Sequence, residues 1–438
     1  MNPPRLSRCL FRAAVVLTLI ATFSGMPPHR ITASAGPPPG SVEASFRNFC
    51  GAVNLISTAD SKKLGVGWLR ILFDWRAIEP HKGDWQWQHT DAAIEQVHRS
   101  GMEMLPDIAF TPGWAAMPAH PGFQPFNGPP AKVADWEDFV EHVVSRYSAP
   151  PYNLRYFQIW NEPGGPFFQG TDQQFADLVH IPAAKIIRTH HGMVVFGGLA
   201  DVVNLQRFSA LMNYHDLWRW TDIVDVHYKG FAEFQQFYLA WVANGKCRGM
   251  WQTEVGNTAE PGFLDSLYCR TLHWTVQVGW RDPDEFKLFW YAGQGPNDIC
   301  LINVSKPPDQ RVTGNGMQLA ALNQVLGEGS LSNFTEFSTV PQAGPPGAGW
   351  ALGYRVGTRR VVINFLADRG FFQAHASALV SVTMPRPSRV QLMSGVGKTW
   401  DLPVQYSAGR VQVEVPFHSG FLDCPACKNV AGFLVLDQ

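Results

Sequence analysis

Two short stretches place a carboxylate where an apolar run stops. In Ile159-Trp160-Asn161-Glu162-Pro163 the run ends in an Asn-Glu pair, and Pro163 disfavours a right-handed helical conformation at Glu162 and turns the chain out of a strand. In Trp251-Gln252-Thr253-Glu254-Val255-Gly256 a second apolar run delivers a glutamate, with a glycine two residues on. Either stretch alone is ambiguous, because an Asn-Glu-Pro also suits a helix N-terminal acid or a surface ion pair. Together they are more specific. The glutamates lie 254 − 162 = 92 residues apart, about three strand–helix units. Two carboxyls facing one cleft are what cleavage of a glycosidic bond needs. One is protonated and serves the leaving oxygen; the other is ionised and attacks or activates water.

Something must hold these residues at one rim. From about residue 45 to 328, short apolar runs alternate with longer helix-like segments. Eight runs read as strands: Phe46–Val53, Val66–Phe73, Met102–Ile108, Tyr156–Trp160, Val194–Leu199, Ile223–Tyr228, Gly249–Glu254 and Lys287–Tyr291. They are continuous rather than alternating, as parallel strands buried on both faces require. Helical patterns include Asp91–Ser100, Asp135–Tyr147, Asp172–Thr189 (bent or broken near Pro182) and Phe263–Gly279. Eight strands interleaved with helices predict a (β/α)8 barrel. It would carry Glu162 and Glu254 at the C-terminal ends of its fourth and seventh strands, where such barrels build active sites. A doubly wound open sheet lacks support, since no Gly-rich phosphate loop follows the first strand.

After about residue 329 the pattern changes to short alternating segments: Trp350–Val356, Arg360–Phe365, Leu379–Met384, Arg389–Met393 and Val411–Val415. Residues 329–438 are predicted to form a small C-terminal β-sandwich, bracing the barrel or binding carbohydrate. At the other end, Arg5, Arg8 and Arg12 precede the apolar Ala13–Phe23, and Ala33-Ser34-Ala35 offers a small-residue cleavage site. Residues 1–35 thus read as an export signal, with a retained anchor as the alternative, and 36–44 as a linker. Export places the chain outside the cell or at its surface, with no membrane span in the mature protein. Six cysteines then remain, and their even number permits up to three disulfides. Cys424-Pro425-Ala426-Cys427 suits a local disulfide or free thiols better than zinc, because no second pair has that spacing. Asn303-Val304-Ser305 and Asn333-Phe334-Thr335 match the N-glycosylation pattern. A net charge of −1 with no basic run beyond the N-terminus leaves no footprint for nucleic acid.

The two glutamate stretches resemble those of clan A glycoside hydrolases, whose catalytic acids end strands four and seven. The likeness is strongest to family 39 and related endo-acting exopolysaccharide hydrolases. Gly67-Trp68-Leu69-Arg70 through Trp75, Ile78-Glu79-Pro80, Gly83-Asp84-Trp85, Trp87 and Asp91 are similar to that family's second strand–helix unit. Phe110-Thr111-Pro112-Gly113-Trp114-Ala115 is similar to its third-strand loop. The resemblance covers roughly residues 45–328. It implies a retaining enzyme that needs no metal or organic cofactor and acts on a carbohydrate, with carboxyls ~5–5.5 Å apart. It implies Glu162 as acid/base, Glu254 as nucleophile, Asn161 bonding the sugar 2-hydroxyl, and Arg70 beside Glu254 keeping it ionised.

Sixteen tryptophans serve core packing and sugar stacking alike. Trp114 and Trp290 are the candidate sugar platforms, with core packing as the alternative for each. Strand six departs from the resemblance. Relatives show His and then, two residues on, a Tyr that bonds the nucleophile; here His227 is followed two residues on by Lys229. His227 faces the site or the core, and Tyr228 is expected on the opposite face unless the strand bulges. Other readings are a catalytically silent carbohydrate-binding barrel, which retention of both glutamates disfavours, and a transglycosylase using the same residues.

Overall fold

The structure is a computed structural model that describes residues 42–438 except Leu55, 119–123, 343–349, 418–426 and Lys428. The expected export signal and most of the linker lie outside the described residues. Eight parallel strands close a barrel: β1 (Cys50–Val53), β2 (Trp68–Asp74), β3 (Glu103–Ala109), β4 (Tyr156–Ile159), β5 (Met193–Val195), β6 (Ile223–His227), β7 (Gly249–Gly256) and β8 (Phe286–Tyr291). Each is followed by a helix: α1 (Thr58–Leu64), α2 (Gln88–Arg99), α3 (Val133–Ser148), α4 (Ile181–Thr189), α5 (Leu205–Asn213), α6 (Phe231–Trp241), α7 (Phe263–Val278) and α8 (Gly314–Leu326). The expected strands are there, with two differences: the fifth, expected to run to Leu199, stops at Val195, and the first begins later. Phe46–Phe49 is a single helical turn capped by the Ser45 hydroxyl, and only Cys50–Val53 joins the barrel. Near Pro182 the helix is interrupted as expected. Asp172–Gln174 runs into a π-helical stretch, Phe175–His180, in which the Ile181 N–H reaches the Ala176 carbonyl, and the α-helical pattern resumes at Ile181–Thr189 with the proline, which has no N–H to donate, at its start.

The barrel interior is layered by the two-residue period of its strands. Val53, Trp68, Leu105, Tyr156, Val195, Ile223, Trp251 and Phe289, one from each strand, form an apolar floor. Two residues further along five of these strands the same inward face carries Arg70, Asp107, Gln158, Asp225 and Thr253, all buried and all polar. Tyr291, at the end of β8, lies at this same step, two residues past Phe289, and the next step brings His227 on β6. The barrel is thus greasy at the bottom, polar in the middle and reactive at the mouth.

Two antiparallel sheets follow. The larger contains β9 (Ser330–Asn333), β11 (Trp350–Val356), β12 (Arg360–Asp368), β14 (Arg389–Ser394), β15 (Thr399–Asp401) and β18 (Asn429–Asp437). The smaller contains β10 (Phe337–Gln342), β13 (Ser377–Thr383), β16 (Gln405–Ser407) and β17 (Arg410–Pro416). Alternate residues of β12 and β18 serve different cores. Val361, Ile363, Phe365, Leu434 and Leu436 fill the sandwich, whereas Val362, Leu366, Phe433 and Val435 belong to the barrel's core. The larger sheet lies against α7, where the Tyr354 hydroxyl donates to the Cys269 carbonyl at 3.2 Å. Ala44–Ser45, ahead of the barrel, adds an edge strand beside β9, and Val42, assigned to the linker by composition, bridges Trp280.

Cys50, Cys247, Cys269 and Cys300 are buried free thiols, so the disulfides that the count allows do not form among these four. Cys427 is disulfide-bonded, and Cys424 lies outside the described residues. Asn303 is a poor glycan acceptor, being buried with its Nδ2 donating to Asp298 Oδ1 at 2.7 Å. Among the described residues no helix is long and apolar enough to cross a membrane.

Candidate active site

Both glutamates sit at the barrel mouth, but regular strand geometry alone would not bring them there. Trp251 and Thr253 face inward, so strict alternation would turn Glu254 outward. Instead β7 carries one extra residue. Asp225 pairs with Trp251 and His227 with Glu254, while Gln252 pairs with Leu288 and Val255 with Trp290. This bulge lets Thr253 and Glu254 both face the interior. On β4 the turn is sharper. Trp160 (φ +71°) and Glu162 (φ +48°) both adopt left-handed backbone. Trp160 leaves for the helical layer, donating to the Phe167 carbonyl at 2.9 Å, while Asn161 and Glu162 enter the site. Left-handed non-glycine residues also occur at Asn54, Phe110, Tyr228 and Asn257, just past strands β1, β3, β6 and β7. Each costs about 1 kcal/mol or more, and their concentration at this rim marks it as the functional end.

Arg70 holds the cluster from below. Its guanidinium donates to Glu254 Oε1 at 2.7 Å, Asp107 Oδ2 at 2.8 Å, Asn161 Oδ1 at 2.7 Å and Gln158 Oε1 at 2.5 Å. The Tyr228 hydroxyl donates to the other oxygen of Glu254 at 2.7 Å. Burial by itself would raise the Glu254 pKa. The charges of His227 and Arg70 and the bonds from Tyr228 and Arg70 outweigh it and hold the carboxyl below its ordinary range. Glu162 is held differently: its backbone N–H donates to the Gly197 carbonyl at 2.8 Å, and Oε1 lies 3.2 Å from His227 Nδ1. His227 is fully buried; burial lowers its pKa, but Glu254 and the bond to Glu162 reverse that, so the net shift is upward. Gly198 (φ +56°) lies against this ring, and a Cβ there would come within 2.1 Å of Nε2.

Oxygens of Glu162 and Glu254 and a ring nitrogen of His227 all lie within 4.8 Å of one another. That donor set could share a cation. Here, however, both Glu254 oxygens already accept from Arg70 and Tyr228, and the guanidinium beside them opposes a second positive charge. The arrangement suits a charged nucleophile beside an acid/base carboxyl.

Of the residues singled out by sequence, Glu162, Glu254, Asn161, Arg70 and His227 come together. Trp290 does not reach the site, which corrects its reading as a platform. It is 0% exposed, its indole donates to the Ile299 carbonyl at 2.8 Å, and a Cβ on Gly256 would meet its ring at 2.6 Å. The reason is parity: Phe289 faces the barrel axis, so Trp290 faces the helices. Tyr291 returns to the axis, half-buried, its ring 6.4 Å from that of Tyr228. It is the aromatic that this strand offers to the cleft. Trp114 is half-buried, donating to the Glu79 carbonyl at 3.0 Å and packed edge-on against Trp75, contacts that tie it to the loop after β2. Tyr228, expected outward unless the strand bulged, reaches Glu254 through its own left-handed backbone (φ +53°) and the bulge on β7. Lys229 instead turns to the loop after β5 and bonds the Asp201 carbonyl. Asp107, Gln158, Asp225 and Thr253 were missed, although their two-residue spacing from the apolar floor was readable.

No family profile matches the sequence, and no curated protein sequence is similar to it. Solved structures are similar in fold. A family 39 glycoside hydrolase from Bacteroides cellulosilyticus WH2 is 12% identical, with a TM-score of 0.58 over 89% of this chain and 81% of that one. A family 30 subfamily 8 xylanase from Clostridium acetobutylicum is 14% identical, with a TM-score of 0.59 over 90% and 97%. A glucosidase from Croceicoccus marinus is 12% identical, with a TM-score of 0.61 over 91% and 98%. At such identities the likeness is one of architecture: the chain has the fold of clan A glycoside hydrolases, a (β/α)8 barrel followed by a β-sandwich.

Proposed function

We propose that this chain is an exported, retaining O-glycoside hydrolase that cleaves a β-linked oligo- or polysaccharide. The observation that carries the reading is the pair of carboxyls at the barrel mouth. Their nearest oxygens fall within 4.8 Å, and Glu254 alone is clamped by Arg70 and Tyr228. Inverting enzymes hold their carboxyls ~6.5–9.5 Å apart to admit a water between acid and base, and oxygens this close favour the retaining arrangement instead. The fold shared with glycoside hydrolases of families 39 and 30 supports the same reading.

In this mechanism Glu162 gives its proton to the glycosidic oxygen while Glu254 attacks the anomeric carbon. The C–O bond to the leaving group breaks as the glycosyl ester forms. Glu162, now ionised, takes a proton from water, and the water oxygen displaces Glu254, regenerating both groups. Asn161 is fixed by Arg70 through its Oδ1, which leaves its Nδ2 to donate to the 2-hydroxyl of the sugar. Tyr291 supplies a ring against the sugar's apolar face.

The test is release of chromogenic aglycone from a panel of aryl β-glycosides and longer glycans, with Glu254→Ala alongside. The anomer first formed is read by proton NMR. Turnover abolished in the variant, with the β anomer appearing first, is the expected result. A first-formed α anomer would replace the retaining assignment with inversion, and silence of wild type on the whole panel would favour a binding barrel.

A further inference from the structure

Beneath the carboxylates, the buried polar layer forms a chain of hydrogen bonds whose donors and acceptors can be assigned one after another. Arg70 Nε can only donate, so the atom of Gln158 that faces it at 2.5 Å is its oxygen. The Gln158 amide nitrogen is thereby turned to Asp225 Oδ2 at 2.5 Å, Thr253 Oγ1 at 3.1 Å and the Phe196 carbonyl at 3.4 Å. The second Asp225 oxygen accepts the Thr253 backbone N–H at 3.0 Å. The single proton of the Thr253 hydroxyl goes to Asp225 Oδ2 at 2.6 Å. Having given its only proton, the hydroxyl can only accept, and it faces His227 Nε2 at 3.0 Å. Nε2 must therefore carry hydrogen. What titrates is Nδ1, which lies 3.2 Å from Glu162 Oε1 and 3.8 Å from Glu254 Oε2.

We infer that Thr253 and Asp225 are positioning residues of the acid/base site: they fix the His227 proton on Nε2, so that Nδ1 and Glu162 share one exchangeable proton. The catalytic meaning of this rests on the role proposed for Glu162. In the resting state the pair holds that proton between Oε1 and Nδ1. When Glu162 protonates the leaving oxygen the pair is left with none, a carboxylate facing a neutral nitrogen lone pair. The proton taken from the attacking water restores it. Nothing is oxidised and no further reactant is needed.

The charged and titratable groups facing His227 are Glu162 from the end of β4, Glu254 from β7, Arg70 from β2, Asp107 from β3, and Asp225 and Tyr228 from its own strand. From the segment after β5 it meets Gly198, whose missing side chain makes room for the ring, and the Leu199 carbonyl, which accepts its backbone N–H at 2.9 Å; neither is titratable. Burial pushes Asp225 up to about 7. A proton taken up there would free the Thr253 hydroxyl from donating to it, releasing the constraint on Nε2. The arrangement is therefore sensitive to pH near neutrality.

The test compares Thr253→Val, which keeps the shape and removes the hydroxyl, with Thr253→Ser, which restores it. In the full chain labelled with ¹⁵N-histidine, the His227 resonances are assigned by their loss in His227→Gln. Wild type and Thr253→Ser should show hydrogen on Nε2, and Thr253→Val should show a tautomer mixture. The alkaline limb of kcat/KM should move down by about one pH unit in Thr253→Val, a tenfold loss of proton affinity, and return in Thr253→Ser. Should Thr253→Val melt early, Thr253→Ala is read in the same two ways. An Nδ1–H tautomer in wild type, or a tautomer and pH profile unchanged in both hydroxyl-free variants, would overturn the inference. The NMR measurement needs no substrate. Inactivity on every glycoside with Nε2–H in place would thus count against the proposed function alone.

Discussion

Replacing Tyr228 by phenylalanine removes one hydroxyl and leaves the rest of the site in place. That hydroxyl donates to Glu254 Oε2 at 2.7 Å, on a carboxylate only 8% exposed. A hydrogen bond to a charged group is worth ~1.5–3 kcal/mol. Divided by 1.36 kcal/mol per unit, this corresponds to about 1–2 pKa units. Arg70 and His227 remain, so the Glu254 pKa should rise by about that amount while the group still ionises near neutrality. Ionised Glu254 is needed for attack, so the acid limb of kcat/KM should move up by about one unit or more, with little change on the alkaline side. Stability should follow with the matching sign. Glu254 has a depressed folded pKa; its stabilisation is full above the ordinary carboxylate pKa and is lost as pH falls through the folded value. The stability gap between Tyr228→Phe and wild type, about 1.5–3 kcal/mol at pH 7, should therefore narrow below about pH 4. The assay is a pH–rate profile with an aryl glycoside, paired with denaturant melts at pH 7 and 3.5. An acid limb that stays put or moves down, or a gap that is constant with pH, would refute the assignment of Tyr228 as the donor that keeps Glu254 charged.

Other perturbations separate structural from chemical roles. Arg70→Met strands Glu254, Asp107 and Asn161 without their shared donor; loss of one partner in a buried ion pair costs about 3–5 kcal/mol, read as a lower urea midpoint together with lost turnover. Trp290→Phe should cost about 1–3 kcal/mol of stability and leave KM unchanged, whereas Tyr291→Ala should lower kcat/KM about tenfold or more; a raised KM in Trp290→Phe would reinstate that tryptophan as a platform. His273 is buried at the seam between α7 and the larger sheet, its ring 5.2 Å from that of Tyr354 and its Nδ1 without a partner, and burial lowers its pKa to about 4. The unfolded chain binds a proton there that the folded one refuses, so stability falls as pH drops from about 6.5 towards 4. His273→Leu should recover about 2–3 kcal/mol at pH 4.5 relative to its effect at pH 7.5, measured by urea melts at both values.

Much of this protein is legible in its sequence because strands repeat every two residues and parallel strands must be apolar on both faces. Those rules place eight strands, and they put Glu162 and Glu254 at the ends of the fourth and seventh. Applied more strictly, the same parity would have turned Trp290 outward, brought Tyr291 inward and revealed the polar layer above Trp68, Leu105, Tyr156, Ile223 and Trp251. The rest belongs to tertiary structure. The extra residue in β7 is visible only against its neighbours β6 and β8, because a bulge is a mismatch between two strands and not a property of one. The left-handed backbone of Tyr228 follows no residue preference; it persists because the hydroxyl's bond to Glu254 and the packing around it outweigh the local strain. Arg70 finds its partners 37 to 184 residues away. Sequence supplied the acids and the strands that carry them, and only closure of the barrel decided which charges meet.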